Sequence, residues 1–136
     1  DRHSEHSTAE LLAIWGNTFE KFQAFLPKIP QPTISQFVFD QVTHEHDIRH
    51  AISQPGARDS RAISVAEGFI RDFITRNPDP AVHALAESTV TGFDYVRSFS
   101  GRRSKVQLAE LGLPADLVAA FISTSPFEMP ARSIVE

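Results

Sequence analysis

Between Ser7 and Leu26 the apolar residues Leu12, Trp15, Phe19, Phe22 and Leu26 recur at steps of three and four. That spacing constrains the chain more than any other feature, because a helix of 3.6 residues per turn gathers such residues on one face. Ser7 and Glu10 stand at the capping-box spacing that starts a helix, and Pro27 with Pro30 ends it. The same grammar repeats downstream. Thr33 with Gln36 opens a second predicted helix, which runs to about Ile52, where Ser53-Gln54-Pro55-Gly56 reads as a turn. A third is predicted from about Ser60 to Arg76, with Ile63, Ala66, Ile70 and Phe73 as its buried stripe and Asn77-Pro78-Asp79-Pro80 as its stop.

Past Pro80 the elements shorten. Residues 82–87 read equally as a helical turn or a short strand, and 93–99 as a helix with Gly101 placed as its C′ glycine. Ser104 with Gln107 is a further capping-box pair, opening a helix through Leu111, and Pro114 opens another over 115–122. From Ser123 two prolines and the lack of a period predict a tail laid over the surface. The fold expected is mainly α, one domain over 1–136, with bundle helices over 7–76 and a short helical C-terminal extension over 77–136.

Composition narrows the function classes. A chain of 136 residues, 41% of them apolar, can bury one core without disulfides or a structural metal. The absence of cysteine excludes disulfide scaffolds, cysteine zinc sites and cysteine nucleophiles. With 13 Lys and Arg against 17 Asp and Glu, the net charge of −4 argues against a nucleic-acid partner. No apolar run approaches the ~18–20 residues of a membrane span, and no signal peptide is evident, so a cytoplasmic protein without a membrane partner is expected. The chain opens on Asp1 rather than Met, which reads as a fragment or a processed form.

The second predicted helix carries the chemistry. At 100° per residue, Ile34, Phe37, Val38, Val42, Ile48 and Ile52 gather on one apolar arc, and Asp40, His44, Asp47 and Ala51 form a stripe along its border. His46 lies roughly 160° and His50 roughly 120° from His44 by the same rotation, so the three histidines split between two faces. Asp40 and His44 stand one turn apart and can converge on one cation, and such N/O ligation suits zinc, nickel or iron(II) rather than calcium. Asp47, three residues further, is placed to orient the His44 imidazole. The bland alternative is a hydrogen-bonded pair at the border of the core, since a catalytic zinc site takes three protein ligands. His46 and His50 read as a solvated face, His3 and His6 as part of the terminus, and His83 as exposed.

The run Phe39-Asp40-Gln41-Val42-Thr43-His44-Glu45-His46-Asp47-Ile48-Arg49, followed by Gln54-Pro55-Gly56-Ala57-Arg58-Asp59, resembles the third-helix signature of the mycothiol-dependent maleylpyruvate isomerase family. Glu10-Leu11-Leu12-Ala13-Ile14-Trp15 is similar to the helix that precedes that signature. The stretch from Phe93 to Ser104, with Gly101-Arg102-Arg103-Ser104 and Gln107, is similar to one near the family's C-terminus. The matches follow family order over roughly 7–117.

The resemblance implies a DinB-like helical bundle. It also implies a divalent metal, usually zinc, held by a histidine of an early helix together with an acidic residue and a histidine of the third. Carried over, Asp40 is the acidic ligand, where relatives often have Glu, and His44 the histidine. In the family proper a thiolate of mycothiol takes the open position and attacks a small electrophile. The family's first helix and its histidine would lie upstream, so the bundle is incomplete at the N-terminus, and a second copy of the chain would cover the apolar faces left open.

Arg97, Arg102 and Arg103 form the dense basic patch. Arg97 and Arg102 read as a site for an anionic substrate or a thiol-cofactor carboxylate, or else as ion pairs at a helix–turn–helix joint around Gly101. Two functions are expected. The first is metal-dependent, thiol-cofactor-using isomerisation or transfer on a small electrophile. The second is a non-catalytic module that binds a small molecule or protein and keeps the fold with an incomplete metal site.

Overall fold

The structure is a computed structural model that describes residues 5–135. The chain divides into two compact units, Asp1–Ile34 and Ser35–Glu136. In the first, α1 (Thr8–Phe25) starts at the expected capping box. The Ser7 hydroxyl accepts from the Glu10 amide at 3.3 Å, and the Glu10 carboxylate accepts from the Ser7 amide at 2.7 Å. Pro27 ends α1 in a 3-10 turn, Leu26–Lys28. The helical period of this segment is as the sequence shows, yet α1 buries none of its residues, and Trp15 remains 69% exposed.

The second helix, α2 (Gln31–Ala51), starts before Thr33. The Pro30 carbonyl accepts from the amides of Thr33 and Ile34 at 3.0 and 3.1 Å, so Pro30 fixes the start and Thr33 is not a cap. Pro32 stands in the first turn, where a missing amide leaves no hydrogen bond unmade.

The rest of the second unit carries α3 (Arg61–Thr75), α4 (Pro80–His83), α5 (Gly92–Phe99), α6 (Lys105–Glu110) and α7 (Ala115–Ile122), with no strand among the described residues. Residues 82–87 are therefore helical turns: α4 is followed by Leu85 and Ala86 amides donating to Val82 and His83 carbonyls. The α3 stripe is Ile63, Ala66, Ile70 and Ile74. Phe73, expected inside, is 56% exposed while Ile74 is fully buried, because a step of four from Ile70 keeps Ile74 over the core and turns Phe73 to its edge. Helix α3 packs on α4 and α5, and α5 on α7, so residues on both sides of Asn77 share one core.

The largest difference from expectation lies in α2. Its buried side chains are Phe39, Val42, Thr43 and His46, an i, i+3, i+4, i+7 set. The apolar arc read from the sequence is centred roughly 130° around the helix from that set. Of its members Phe37, Ile48 and Ile52 are exposed.

Two polar devices hold the loops. Arg71 donates to the carbonyls of Ala86, Ser88 and Val90, the last at 2.8 Å, and Glu67 accepts from the Gly92 amide at 2.6 Å. The α6 capping box is formed, and Gln107 also holds the tail, donating to the Ile134 carbonyl at 2.7 Å. Gly101 lies at φ +74°, and a Cβ there would stand 2.9 Å from the Glu128 carbonyl oxygen. The tail can therefore pass this close only over glycine.

Candidate functional site

The structure brings Asp40 and His44 together. The Asp40 Oδ1 and His44 Nε2 atoms are 3.5 Å apart on the outer side of α2, with 55% and 62% of their side chains exposed. Ligands held at ~2.0–2.1 Å by a tetrahedral zinc lie about 3.3 Å from one another, so the pair fits two corners of such a site. Among the described residues no group of three or more metal-ligating side chains forms. His6 is exposed in the first unit, and His3 lies outside the described residues.

Asp47 has other partners than His44. Its Oδ1 accepts from Arg97 Nη1 at 2.8 Å, and its Oδ2 accepts from Arg102 Nη2 at 2.7 Å. Burial alone would raise the Asp47 pKa. Hydrogen bonds from Arg102 and Arg97, with the positive charges behind them, outweigh that effect and hold it below the ordinary 3.8. Arg97 is buried, and its Nη1 also reaches the Thr43 carbonyl at 3.4 Å. Arg103 pairs with Asp94 at 3.1 Å. Arg97 and Arg102 thus join α5 and the following turn to α2, Arg103 ties that turn back to α5, and Arg102 keeps a partly exposed edge beside His50 in an open cleft.

His46 and His50 do not share the solvated face expected of them. His50 is exposed, but His46 is 5% exposed, with its ring edge-on to Phe93 at 4.7 Å. An imidazole can be buried in this way because its flat ring packs like a small aromatic against Phe93. His83 is half-buried and bonded through Nε2 to the Asn77 carbonyl at 2.7 Å, rather than exposed.

Beside Asp40 the second unit opens a cavity of about 370 Å³ that sequence reasoning missed. Its wall is a chain of six phenylalanines from five parts of the fold. Phe127 meets Phe39 at 5.9 Å, and Phe39 meets Phe69 at 5.6 Å. Phe69 then meets Phe73 at 6.3 Å, Phe73 meets Phe121 at 6.1 Å, and Phe121 meets Phe99 at 5.9 Å. Gln36, Asp40, Thr124 and Ser125 supply the polar lining. The sequence signal was the count of 11 phenylalanines, but six drawn from five separate segments leave no single local pattern.

Fold and site together define an all-helical domain with a paired carboxylate and imidazole at the edge of an aromatic cavity. Among the described residues no helix is long and apolar enough to cross a membrane. Set against known proteins, the chain matches no protein-family model, no curated protein and no solved structure.

Proposed function

We propose that this chain serves metal-dependent, thiol-using isomerisation or transfer on a small electrophile, of the kind its motifs resemble among mycothiol-dependent maleylpyruvate isomerases. The observation that carries this reading is the 3.5 Å approach of Asp40 Oδ1 to His44 Nε2, the bite of two zinc ligands, at the lip of the cavity. A divalent cation held there would lower the pKa of a thiol or water in its open position and so supply a nucleophile at neutral pH. Asp40 and His44 hold the cation. Arg97 and Arg102 act at a distance from it, fixing the turn of α2 that carries Asp47. A third ligand would come from outside this pair, such as a histidine of a second copy of the chain.

The test is metal content per chain, measured without chelator or histidine tag, followed by zinc and nickel titration. The expected result is near-stoichiometric metal that is lost in Asp40→Ala and His44→Ala and retained in His50→Ala. A metal-free, folded protein, or binding that survives His44→Ala, sinks the reading. The second reading, a non-catalytic small-molecule-binding module, is favoured by the two-member donor set among the described residues and by the aromatic cavity.

A further inference from the structure

The phenylalanine cavity has a one-sided polar lining. Thr124 Oγ1 donates its proton to the Phe121 carbonyl at 2.7 Å, and Ser125 Oγ donates to the Ile122 carbonyl at 2.7 Å. Both hydroxyls therefore offer lone pairs rather than protons to the cavity, and one Ser125 lone pair already accepts from the Phe127 amide at 3.1 Å. Asp40 is the one ionisable side chain among the cavity's described lining residues, and it is an acceptor. Except for the Gln36 amide, the polar lining asks for donors. A volume of about 370 Å³ lies near the lower end of ligand-binding cavities, so the occupant is compact. The wall consists of ring faces and edges, which favours a flat aromatic body.

We propose that this cavity binds a compact aromatic molecule carrying an ammonium or another hydrogen-bond donor, with the rings among the phenylalanines and the donor at Asp40. The proposal goes beyond the metal reading and does not depend on it, because the carboxylate of Asp40 acts here as an anion in metal-free protein. It also excludes a class of ligand: an aromatic carboxylate of the same shape would bring like charge to Asp40 and find few donors.

The experiment uses the whole chain in chelator, with naphthylmethylamine as probe and naphthylacetate as its anionic counterpart, both followed by naphthalene fluorescence and ligand-observed NMR. The amine should bind about fivefold or more tightly than the acetate, the preference a half-exposed carboxylate supplies. Asp40→Asn, at an exposed position, should leave the amine bound and bring the two probes to similar affinity. Phe73→Trp, at the exposed edge of the wall, should fill the cavity and weaken both. His44→Ala, which removes the imidazole 3.5 Å from Asp40 but keeps the carboxylate, should leave the amine preferred over the acetate, which separates this result from failure of the metal reading. Equal binding of both probes to the native chain, no binding of the amine, or binding indifferent to Phe73→Trp overturns the proposal.

Discussion

The ion cluster around Asp47 gives the sharpest test of how this fold is held. In Asp47→Asn the shape is kept and one negative charge is lost between Arg97 and Arg102. Breaking a fully buried pair costs about 3–5 kcal/mol, and an exposed pair is worth about 0.2–1 kcal/mol. Here the Arg97 side chain is 2% exposed and the Asp47 side chain 35%, so the loss falls between these limits. The remaining amide oxygen can still accept one hydrogen bond, which places the expected cost at about 2 kcal/mol at neutral pH. Asp94→Asn is the control, since Asp94 is 49% exposed where it meets Arg103, and its cost should stay within about 0.5 kcal/mol. The pH dependence has a definite sign. An acid whose folded pKa is depressed stabilises the fold above its unfolded value and loses that contribution as pH falls through the folded value. The difference between native and Asp47→Asn should therefore hold from neutral pH to mild acid and shrink below pH 3.8. Urea unfolding should be followed by far-UV and Tyr95 near-UV circular dichroism. Tryptophan fluorescence reports Trp15, an exposed residue of the first unit, and not the surroundings of Asp47. A cost under about 0.5 kcal/mol at pH 7, or a difference that persists unchanged into strong acid, would falsify the reasoning.

Tyr95, the one tyrosine in the chain, has its pKa pushed up to about 12, first by burial and then by the Glu67 charge, against the opposing pull of Arg71. Spectrophotometric titration should show no phenolate at pH 10 while the chain is folded; because the unfolded phenol ionises there, stability should fall as pH rises past that value. Gly101→Ala should destabilise by on the order of 2 kcal/mol, since it adds a left-handed conformation for a non-glycine residue to a clash with the Glu128 carbonyl. A thermal midpoint equal to that of the native chain would show that the tail does not lie where the structure has it. Arg71→Met removes a charged donor from three carbonyls and should speed amide exchange at 86–92, with a stability loss of about 1.5–3 kcal/mol. Unchanged exchange there would refute the pinning role of Arg71.

Helix starts were legible where a side chain made them. Ser7, Ser60 and Ser104 each accept from the amide three residues on, and the hydroxyl in the sequence is the cap in the structure. Thr33 failed as a signal because Pro30 and Pro32 already fix the backbone around the first turn of α2, and a capping hydroxyl adds nothing there. Residues 82–87 could not be assigned from pattern because so short a segment has no period to read. It makes its own turn hydrogen bonds, and Arg71 adds one from a distance at the Ala86 carbonyl.

The orientation of α2 was not legible, and the reason bears on the site. Hydropathy ranks Phe37, Ile48 and Ile52 above Thr43 and His46, yet the second unit buries the latter pair. Polar side chains can be buried when their bonds are satisfied. Thr43 donates back to the Phe39 carbonyl at 2.9 Å, and its own carbonyl meets Arg97. His46 stacks edge-on against Phe93, and Asp47 meets two guanidiniums that the sequence placed 50 and 55 residues away. Apart from the Phe39 carbonyl, which lies in α2 itself, these partners come from α5 or the turn after it, and Phe39 packs on Phe69 and Phe127, so α2 takes its rotation from these contacts and not from its own apolar arc. That rotation also decides what Asp40 does. With Phe39 turned into the phenylalanine wall, the next residue falls at the lip of the cavity and His44 one turn beyond it. A single register of α2 against α5 therefore fixes both the arginine cluster and the carboxylate–imidazole pair. Loosening the Asp47 contacts should therefore shift Asp40 and His44 as well, although Asp47 pairs with neither.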